Sequence, residues 1–183
     1  MEIRVEGGER VRKQLTRIPG FANEAAKSIA YELAETTHGN IVSRLQSGIK
    51  HNDGGLAESF KVSDPEGEGN VTASVFSDNP ASWYREFGTG PNGEKSVKDL
   101  PENVNPVYKQ EPWFFPVSSV NKDLNTRYGI PIVNIKGTLF YYSHGQPARP
   151  YMYPAYKDAV ENLDDIVTRN VNNILKRGLN DGI

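Results

Sequence analysis

Residues 88–96 come close to the pattern of a phosphate-binding loop. They read Gly-Thr-Gly-Pro-Asn-Gly-Glu-Lys-Ser, and only Glu94 separates them from the spacing Gly-x-x-x-x-Gly-Lys-Ser. The Glu94 carboxylate would stand where backbone amides should bind phosphate, and Pro91 has no amide N–H to donate. Pro101 and Pro106 follow, with no apolar helix pattern around them. We therefore predict a flexible loop here and no nucleotide-binding site.

The three histidines are the next candidates for chemistry. His38, His51 and His144 are not spaced as metal ligands on one helix face. The chain also lacks a Gly-x-Ser-x-Gly elbow, and it has no cysteine for a disulfide, a thiolate metal site or a nucleophile. We predict no catalytic residue, no metal and no cofactor. A small hydrolase or toxin-type enzyme using His51 with Asp53 or His144 stays open as an alternative, because such sets assemble in space.

Basic and aromatic residues alternate with prolines in segment 149–154, Arg-Pro-Tyr-Met-Tyr-Pro. Stacking on single-stranded nucleic acid is one interpretation. A strand-to-helix junction, whose prolines fix the chain direction and whose tyrosines pack, is the interpretation that we favour. The formal net charge of −2 opposes nucleic-acid binding, since such domains usually carry a basic surplus. A nucleic-acid-binding module is therefore kept only as an alternative.

The charge and hydropathy patterns bound the remaining classes. Residues 51–110 contain ten acidic and five basic side chains, so the middle of the chain is acidic. No apolar run approaches the roughly 18 residues of a membrane-spanning helix. The first residues, Met-Glu-Ile-Arg, do not begin an apolar signal core. We predict a protein that neither enters a membrane nor follows the secretory route.

Helices are predicted at both ends of the chain. Val11, Leu15 and Ile18 recur at helical spacing, and Pro19-Gly20 is expected to break this short helix. A long helix follows from about residue 21 to about residue 47. Its apolar stripe is Phe21, Ala25, Ile29, Leu33, Ile41 and Leu45, interrupted by Thr37. One further amphipathic helix is predicted from about Pro154 to Arg177, with the stripe Tyr156, Val160, Leu163, Val167, Val171 and Ile174 and a stop at Gly178.

The middle of the chain predicts strands and loops. After a turn cluster at residues 51–55, two short strands are expected at 56–62 and 71–76, joined by a polar hairpin loop at 64–70. Three more β-prone segments lie at 113–117, 130–135 and 139–142. Pro131 indicates an edge strand. These segments predict an inserted hairpin that projects some of its aromatic side chains, and residues 88–106 are expected to be disordered.

Two motifs together resemble a known family. The first is Trp83-Tyr84-Arg85-Glu86-Phe87-Gly88-Thr89-Gly90, and the second is residues 145–155, Gly-Gln-Pro-Ala-Arg-Pro-Tyr-Met-Tyr-Pro-Ala. Their order and spacing are similar to those of the tail-component, or tail-completion, family of long-tailed double-stranded DNA bacteriophages. Gly55, Leu56 and Ser59 also match the family's entry to its first strand. Tyr151 replaces the usual Phe, and residues 90–107 form a longer segment than is usual in the family, so contacts made there are expected to differ from those of other members.

The resemblance and the residue patterns lead to one expectation about the fold. We predict an α+β protein, a single domain over residues 1–183, in which an antiparallel sheet of about four strands packs on the long N- and C-terminal helices. A loop and a β-hairpin are inserted at about residues 90–145. Arg149 is expected to pair with Glu86 and to join the strand end to the final helix.

The resemblance further implies a function in head–tail joining and no enzymatic activity. The chain would be a virion protein of the neck or upper tail, assembled in the host cytoplasm, and would form a homo-oligomeric ring around the DNA passage. Its partners would be the head connector, adaptor or stopper protein and the tail terminator or tube protein, with genomic DNA passing nearby without specific binding. The expected interface or structural residues are Trp83, Tyr84, Glu86, Phe87, Gly88, Thr89, Trp113, Phe114, Phe115, Arg149, Pro150, Tyr151 and Pro154.

Overall fold

The computed structural model of the chain describes residues 18–47 and 55–180 and is α+β, as predicted. The chain folds into two compact units. The first comprises Met1–Asp78 and Ala155–Ile183, and the second comprises Asn79–Pro154. The second unit is therefore larger than the predicted insertion at about residues 90–145. The expected short helix around Val11 and Leu15, and the turn cluster up to residue 54, lie outside the described residues.

The first unit is built on one long helix, α1 (Ile18–Ser47). Pro19 and Gly20 lie in its first turn and do not break it, because the first turn is where a missing N–H costs nothing. Its buried side chains are Ala25, Ala34, Thr37, Ile41 and Leu45. Thr37 belongs to this buried stripe because its hydroxyl donates to the Leu33 carbonyl at 2.8 Å, which satisfies the polar group inside the helix.

A short helix and a two-stranded sheet follow α1. Helix α2 (Gly55–Glu58) occupies the start of the predicted first strand, and only β1 (Phe60–Val62) is extended. The Leu-Ala-Glu sequence of α2 consists of good helix formers, which explains this difference. Strand β1 pairs antiparallel with β2 (Val75–Ser77), so that Phe60 faces Ser77.

The β1–β2 connection is an acidic loop, residues 64–70, held by its own hydrogen bonds. Glu66 and Thr72 exchange both backbone N–H···O bonds at 2.9 Å. Gly67 and Gly69 adopt φ of 104° and 79°, which closes the turn. The Gly69 N–H also donates to the Asn23 side chain of α1 at 3.4 Å. The loop is therefore a defined protrusion that carries Asp64, Glu66 and Glu68.

The predicted C-terminal helix is two helices, α6 (Met152–Glu161) and α7 (Leu163–Asn180). The buried side chains are Ala155, Ala159, Ile166 and Ile174, so the buried face of α6 lies one position before the predicted stripe. Tyr156, Val160 and Val171 of the predicted stripe are exposed instead. Gly178 does not end α7; a Cβ there would lie 2.8 Å from the Phe21 ring, so the glycine makes room for α1.

Helix α1 packs against α7, and polar side chains join it to both C-terminal helices. Arg44 pairs with Asp158 at 2.5 Å, and Arg169 and Asn170 both donate to the carboxylate of Glu32. The Asn170 amide, ahead of Arg169, lowers the pKa of Glu32. These contacts hold the first unit together around α1.

The second unit contains a three-stranded antiparallel sheet and four short helical segments. Its elements in chain order are α3 (Ala81–Phe87), α4 (Gly90–Glu94), β3 (Trp113–Pro116), a 3-10 turn (Val117–Ser119), α5 (Leu124–Tyr128), β4 (Ile132–Ile135) and β5 (Thr138–Ser143). The strand order is β3-β5-β4, so β4, which follows Pro131, is an edge strand as predicted. The five strands thus form two sheets rather than one.

The three-stranded sheet has one covered and one open face. Tyr141 and Ser143 of β5 are buried on the covered face, where the Tyr141 hydroxyl accepts the Leu124 N–H that begins α5. The carboxylate of Asp123 caps the same helix, and the hydrogen bond from the Thr126 hydroxyl is the main reason why the pKa of Asp123 is lowered. In the two described stretches, residues 18–47 and 55–180, no helix has both the length and the apolar character needed to cross a bilayer.

Candidate functional site

The two motifs that carry the family resemblance lie against each other in the second unit. The Thr89 N–H donates to the Gln146 carbonyl at 2.9 Å, and the Gln146 N–H donates to the Thr89 hydroxyl at 3.1 Å. The Gln146 side chain reaches the Tyr84 carbonyl at 2.7 Å. Segments that are more than 50 residues apart in the chain are thereby joined along their backbones.

Glycine is required where these segments cross. Gly88 has φ of 74°, and a Cβ on it would lie 2.6 Å from the Ala148 nitrogen. Gly145 has φ of 88°, and a Cβ there would lie only 1.8 Å from the Thr89 carbonyl oxygen. Both the left-handed backbone and the close approach exclude larger residues. The glycines of the two motifs thus have a packing function.

Glu86 is the buried centre of the crossing. Its side chain is 2% exposed, and its carboxylate accepts the backbone N–H groups of Tyr151 at 2.7 Å, Met152 at 2.9 Å and Tyr153 at 3.1 Å. These N–H groups surround the start of α6, where a helix leaves its first amides without internal partners. A carboxylate at this end also interacts favourably with the helix dipole.

The predicted ion pair between Arg149 and Glu86 is wrong. Among the described residues, the Glu86 carboxylate makes no ion pair with Arg149, and backbone donors satisfy it instead. Arg149 is exposed, and its backbone N–H donates to the Arg85 carbonyl at 2.8 Å. The guanidinium nearest to this cluster belongs to Arg85 and lies 5.8 Å from the centre of the Tyr151 ring.

Tyr151 is buried behind the crossing. Its hydroxyl donates to the Ser82 carbonyl at 3.3 Å. Burial raises the pKa of Tyr151 far above its usual value, and the nearby Glu86 carboxylate raises it further, while Arg85 opposes the shift. The phenol therefore acts as a neutral anchor that joins α3 to the start of α6.

An open groove of about 670 Å³ lies beside the crossing. Its walls come from α3, from the extended chain before β3 and from β3 itself. The side chains that define it are Trp83, Tyr84, Phe87, Val107, Tyr108 and Trp113. Trp83 is 61% exposed and Val107 is 99% exposed, so large apolar surfaces face solvent here. A concentration of exposed aromatic rings of this kind is typical of an interaction surface.

The wall formed by residues 107–109 contains unused hydrogen-bond donors. In the described part of the chain, no backbone N–H of these three residues donates to a protein acceptor. Lys109 lies on the same wall, with its ammonium 5.8 Å from the centre of the Trp113 ring. Lys109 is the one charged residue that lines the groove. The groove is therefore apolar at its centre and rich in donors along one edge.

Residues 88–106, which we expected to be disordered, have defined contacts. They contain α4, and the Lys98 ammonium binds the carbonyls of Gly93, Glu94 and Ser96 at 2.6–3.1 Å. The Tyr108 hydroxyl donates to the Phe87 carbonyl at 3.0 Å. The glycines that resemble a phosphate loop thus pack against the second motif, with the Asn92 N–H bound to the His144 carbonyl at 3.2 Å.

The open face of the three-stranded sheet is a second apolar surface. Phe114 lies opposite Tyr142 with ring centres 4.9 Å apart, and the His144 ring meets Tyr142 edge-on, also at 4.9 Å. Phe114 is 50% exposed and Ile135, on the same face, is 41% exposed. Phe115 points to the covered face beside Tyr141. One side of the hairpin therefore projects aromatic rings while the other side packs inward.

The structure brings most of the predicted residues together. Trp83, Tyr84, Phe87, Gly88, Thr89 and Trp113 line the groove. Glu86, Arg149, Pro150, Tyr151 and Pro154 lie at or beside the crossing, whereas Phe114 and Phe115 lie on opposite faces of the sheet. The sequence patterns missed Val107, Tyr108 and Lys109, because this irregular segment between Pro106 and Pro112 contains no run of β-prone residues. Gln146 belongs to the second motif but was not selected as a site residue.

The polar residues considered for catalysis do not form a cluster in the described chain. His38 lies within α1, and His144 is exposed beside Tyr142. His51 and Asp53 lie outside the described residues. Within residues 18–47 and 55–180, no three His, Asp or Glu side chains converge in a way that could hold a metal ion.

Comparisons with family models, with curated proteins and with solved structures found no match to this chain.

Proposed function

We propose that the chain is a structural subunit of the neck or upper tail of a long-tailed bacteriophage, where it joins the head connector to the tail as part of a ring around the DNA passage. The observation that carries the proposal is the crossing of the two motifs. The residues quoted for the resemblance are those that bond to one another, through Glu86 with Tyr151–Tyr153 and Thr89 with Gln146. A pair of distant motifs with one shared structural task is more specific than either motif alone.

The surfaces of the second unit favour a protein that works through contact. The groove exposes Trp83, Tyr84 and Val107, and the open sheet face exposes Phe114 and Ile135. Aromatic side chains such as these are the usual anchors of protein interfaces. In the proposed ring they would bind neighbouring subunits, the connector side or the tail terminator or tube protein.

The location can be tested with an antibody to the purified chain. Particles of the phage that encodes it, labelled with the antibody and gold, should carry gold at the junction of head and tail. A phage lacking the chain should accumulate separate filled heads and free tails. Label at the tail tip, label on no particle, or normal particles without the chain would each contradict the proposal.

A further inference from the structure

The acidic loop at residues 64–70 and the aromatic groove have complementary chemistry. The groove offers Lys109 and three unused backbone N–H groups at 107–109, which are all donors. The loop offers the carboxylates of Asp64, Glu66 and Glu68, and an ionised carboxylate only accepts hydrogen bonds. Each surface therefore lacks what the other supplies.

Both surfaces are exposed and already shaped. Glu66 and Glu68 are exposed, and in the described chain neither side chain takes part in an ion pair or a hydrogen bond. The loop carries no basic residue, and the reciprocal bonds between Glu66 and Thr72 fix its base. The groove wall is held by the bond from the Tyr108 hydroxyl to the Phe87 carbonyl. Preformed partners lose little conformational freedom on binding, which favours association.

We propose that the acidic loop of one copy of this chain binds the aromatic groove of a second copy, with Glu66 and Glu68 facing Lys109 and the free amides of residues 107–109. The inference rests on the ring proposed above and names its two surfaces. Because the loop and the groove are different surfaces, each bound pair leaves one loop and one groove open. Such a head-to-tail contact repeats from copy to copy and forms a ring where the rotation between copies closes.

Engineered cysteines provide a direct test, because the chain has no cysteine of its own. Glu68→Cys combined with Val107→Cys should yield covalent dimers and longer oligomers when the purified full-length protein is oxidised at low salt. The matched control combines Glu68→Cys with Val97→Cys, since Val97 is as exposed as Val107 but does not line the groove. We expect at least a fivefold higher yield of oligomers from the first variant. Equal yields, or a disulfide formed within one copy, would overturn the inference.

Charge reversal tests the recognition itself. In the same double-cysteine background, Lys109→Glu should reduce the yield of oligomers at least threefold, and adding Asp64→Lys and Glu66→Lys should restore it. Lys136→Glu, in the turn between β4 and β5, is the control and should leave the yield unchanged. If Lys109→Glu and Lys136→Glu behave alike, charge complementarity does not direct the contact and the inference fails.

These measurements use the purified chain, so they separate the inference from the proposed function. If the protein cross-links specifically but its antibody never labels the neck, the contact between copies is supported and the proposed function is rejected. If the antibody labels the neck but the protein fails to cross-link, the proposed function is supported and the contact between loop and groove is rejected.

Discussion

The carboxylate of Glu86 accepts the backbone N–H of Tyr151 at 2.7 Å, although the two residues are 65 positions apart. The same side chain also binds the next two amides, so one acidic residue satisfies the start of a helix that is remote in sequence. The acid is buried, and its partners are backbone groups. It is therefore a structural cap whose side chain cannot be replaced by another polar group of a different shape.

Removing this carboxylate should destabilise the protein. Glu86→Ala removes the acceptor of three N–H groups, of which that of Tyr151 is buried and those of Met152 and Tyr153 are part-buried, and each buried unsatisfied group costs about 1–3 kcal/mol. We expect the free energy of unfolding in urea to fall by about 3 kcal/mol or more. Glu86→Gln keeps one acceptor oxygen and should fall between Glu86→Ala and the native protein. Glu102→Ala, at an exposed position, is the control; an equal small effect of both alanine variants would contradict the capping role.

The need for glycine at the crossing can be tested by comparing an alanine substitution there with one at a glycine that has no close neighbours. Gly88 and Gly137 both have positive φ, of 74° and 85°, but only Gly88 has neighbours where a Cβ would stand. Gly137→Ala should lower the free energy of unfolding by about 1–2 kcal/mol, the cost of the left-handed conformation. Gly88→Ala carries a larger backbone cost, because φ of 74° with ψ of −176° is a conformation that essentially only glycine adopts, and it must also displace the Ala148 backbone. It should lower the midpoint of thermal unfolding much further than Gly137→Ala, and similar midpoints would argue against the close approach.

The raised pKa of Tyr151 predicts that the free energy of unfolding falls at alkaline pH. Because the pKa of its phenol is raised in the folded state, the folded protein holds this proton more tightly than the unfolded chain. Its contribution to stability is complete below the unfolded pKa of about 10 and is lost as the pH rises above it. Stability measured by urea unfolding should therefore decline as the pH rises from about 10 to about 11.5. Tyr151→Phe should flatten this decline, whereas Tyr84→Phe, at a 54% exposed ring, should leave it in place.

The open sheet face should matter more for assembly than for folding. Phe114→Ser removes a half-exposed ring and one cross-strand aromatic pair, which is worth about 0.2–1 kcal/mol. The variant should keep its fold by circular dichroism but should enter phage particles poorly. Phe115→Ser, on the covered face beside Tyr141, should instead reduce stability. Normal incorporation of the Phe114 variant would remove this face from the set of interfaces.

The elements with a strong local pattern could be predicted from the sequence. Strands β3, β4 and β5 and helix α1 lie near their predicted positions, since aromatic and β-branched runs and a long apolar stripe are local signals. The interruption between α6 and α7 at Asn162 was not predicted, because this residue is neither proline nor glycine and the predicted apolar stripe continues across it. The cap on α6 was missed for a similar reason: opposite charges predict an ion pair, whereas backbone donors leave no trace in the sequence.

The groove was predicted only in part. Trp83, Tyr84, Phe87 and Trp113 belong to aromatic-rich motifs and could be selected by composition. The opposite wall depends on where an irregular segment runs, and tertiary hydrogen bonds such as that from Tyr108 to Phe87 decide its path. This bond joins residues 21 positions apart, a separation that the period of a helix or a strand does not predict.

The distance along the chain between Glu86 and its partners also sets an order of events during synthesis. At about 5–20 residues per second, a ribosome takes roughly 3–13 s to extend the chain from residue 86 to residue 151. Throughout that interval the acid has no amides to cap. The β4–β5 hairpin, whose strands are joined by a two-residue turn, can form before then. Closure at Glu86 therefore comes late, so a nascent chain interrupted before residue 153 would have its glycine-lined crossing open to proteases.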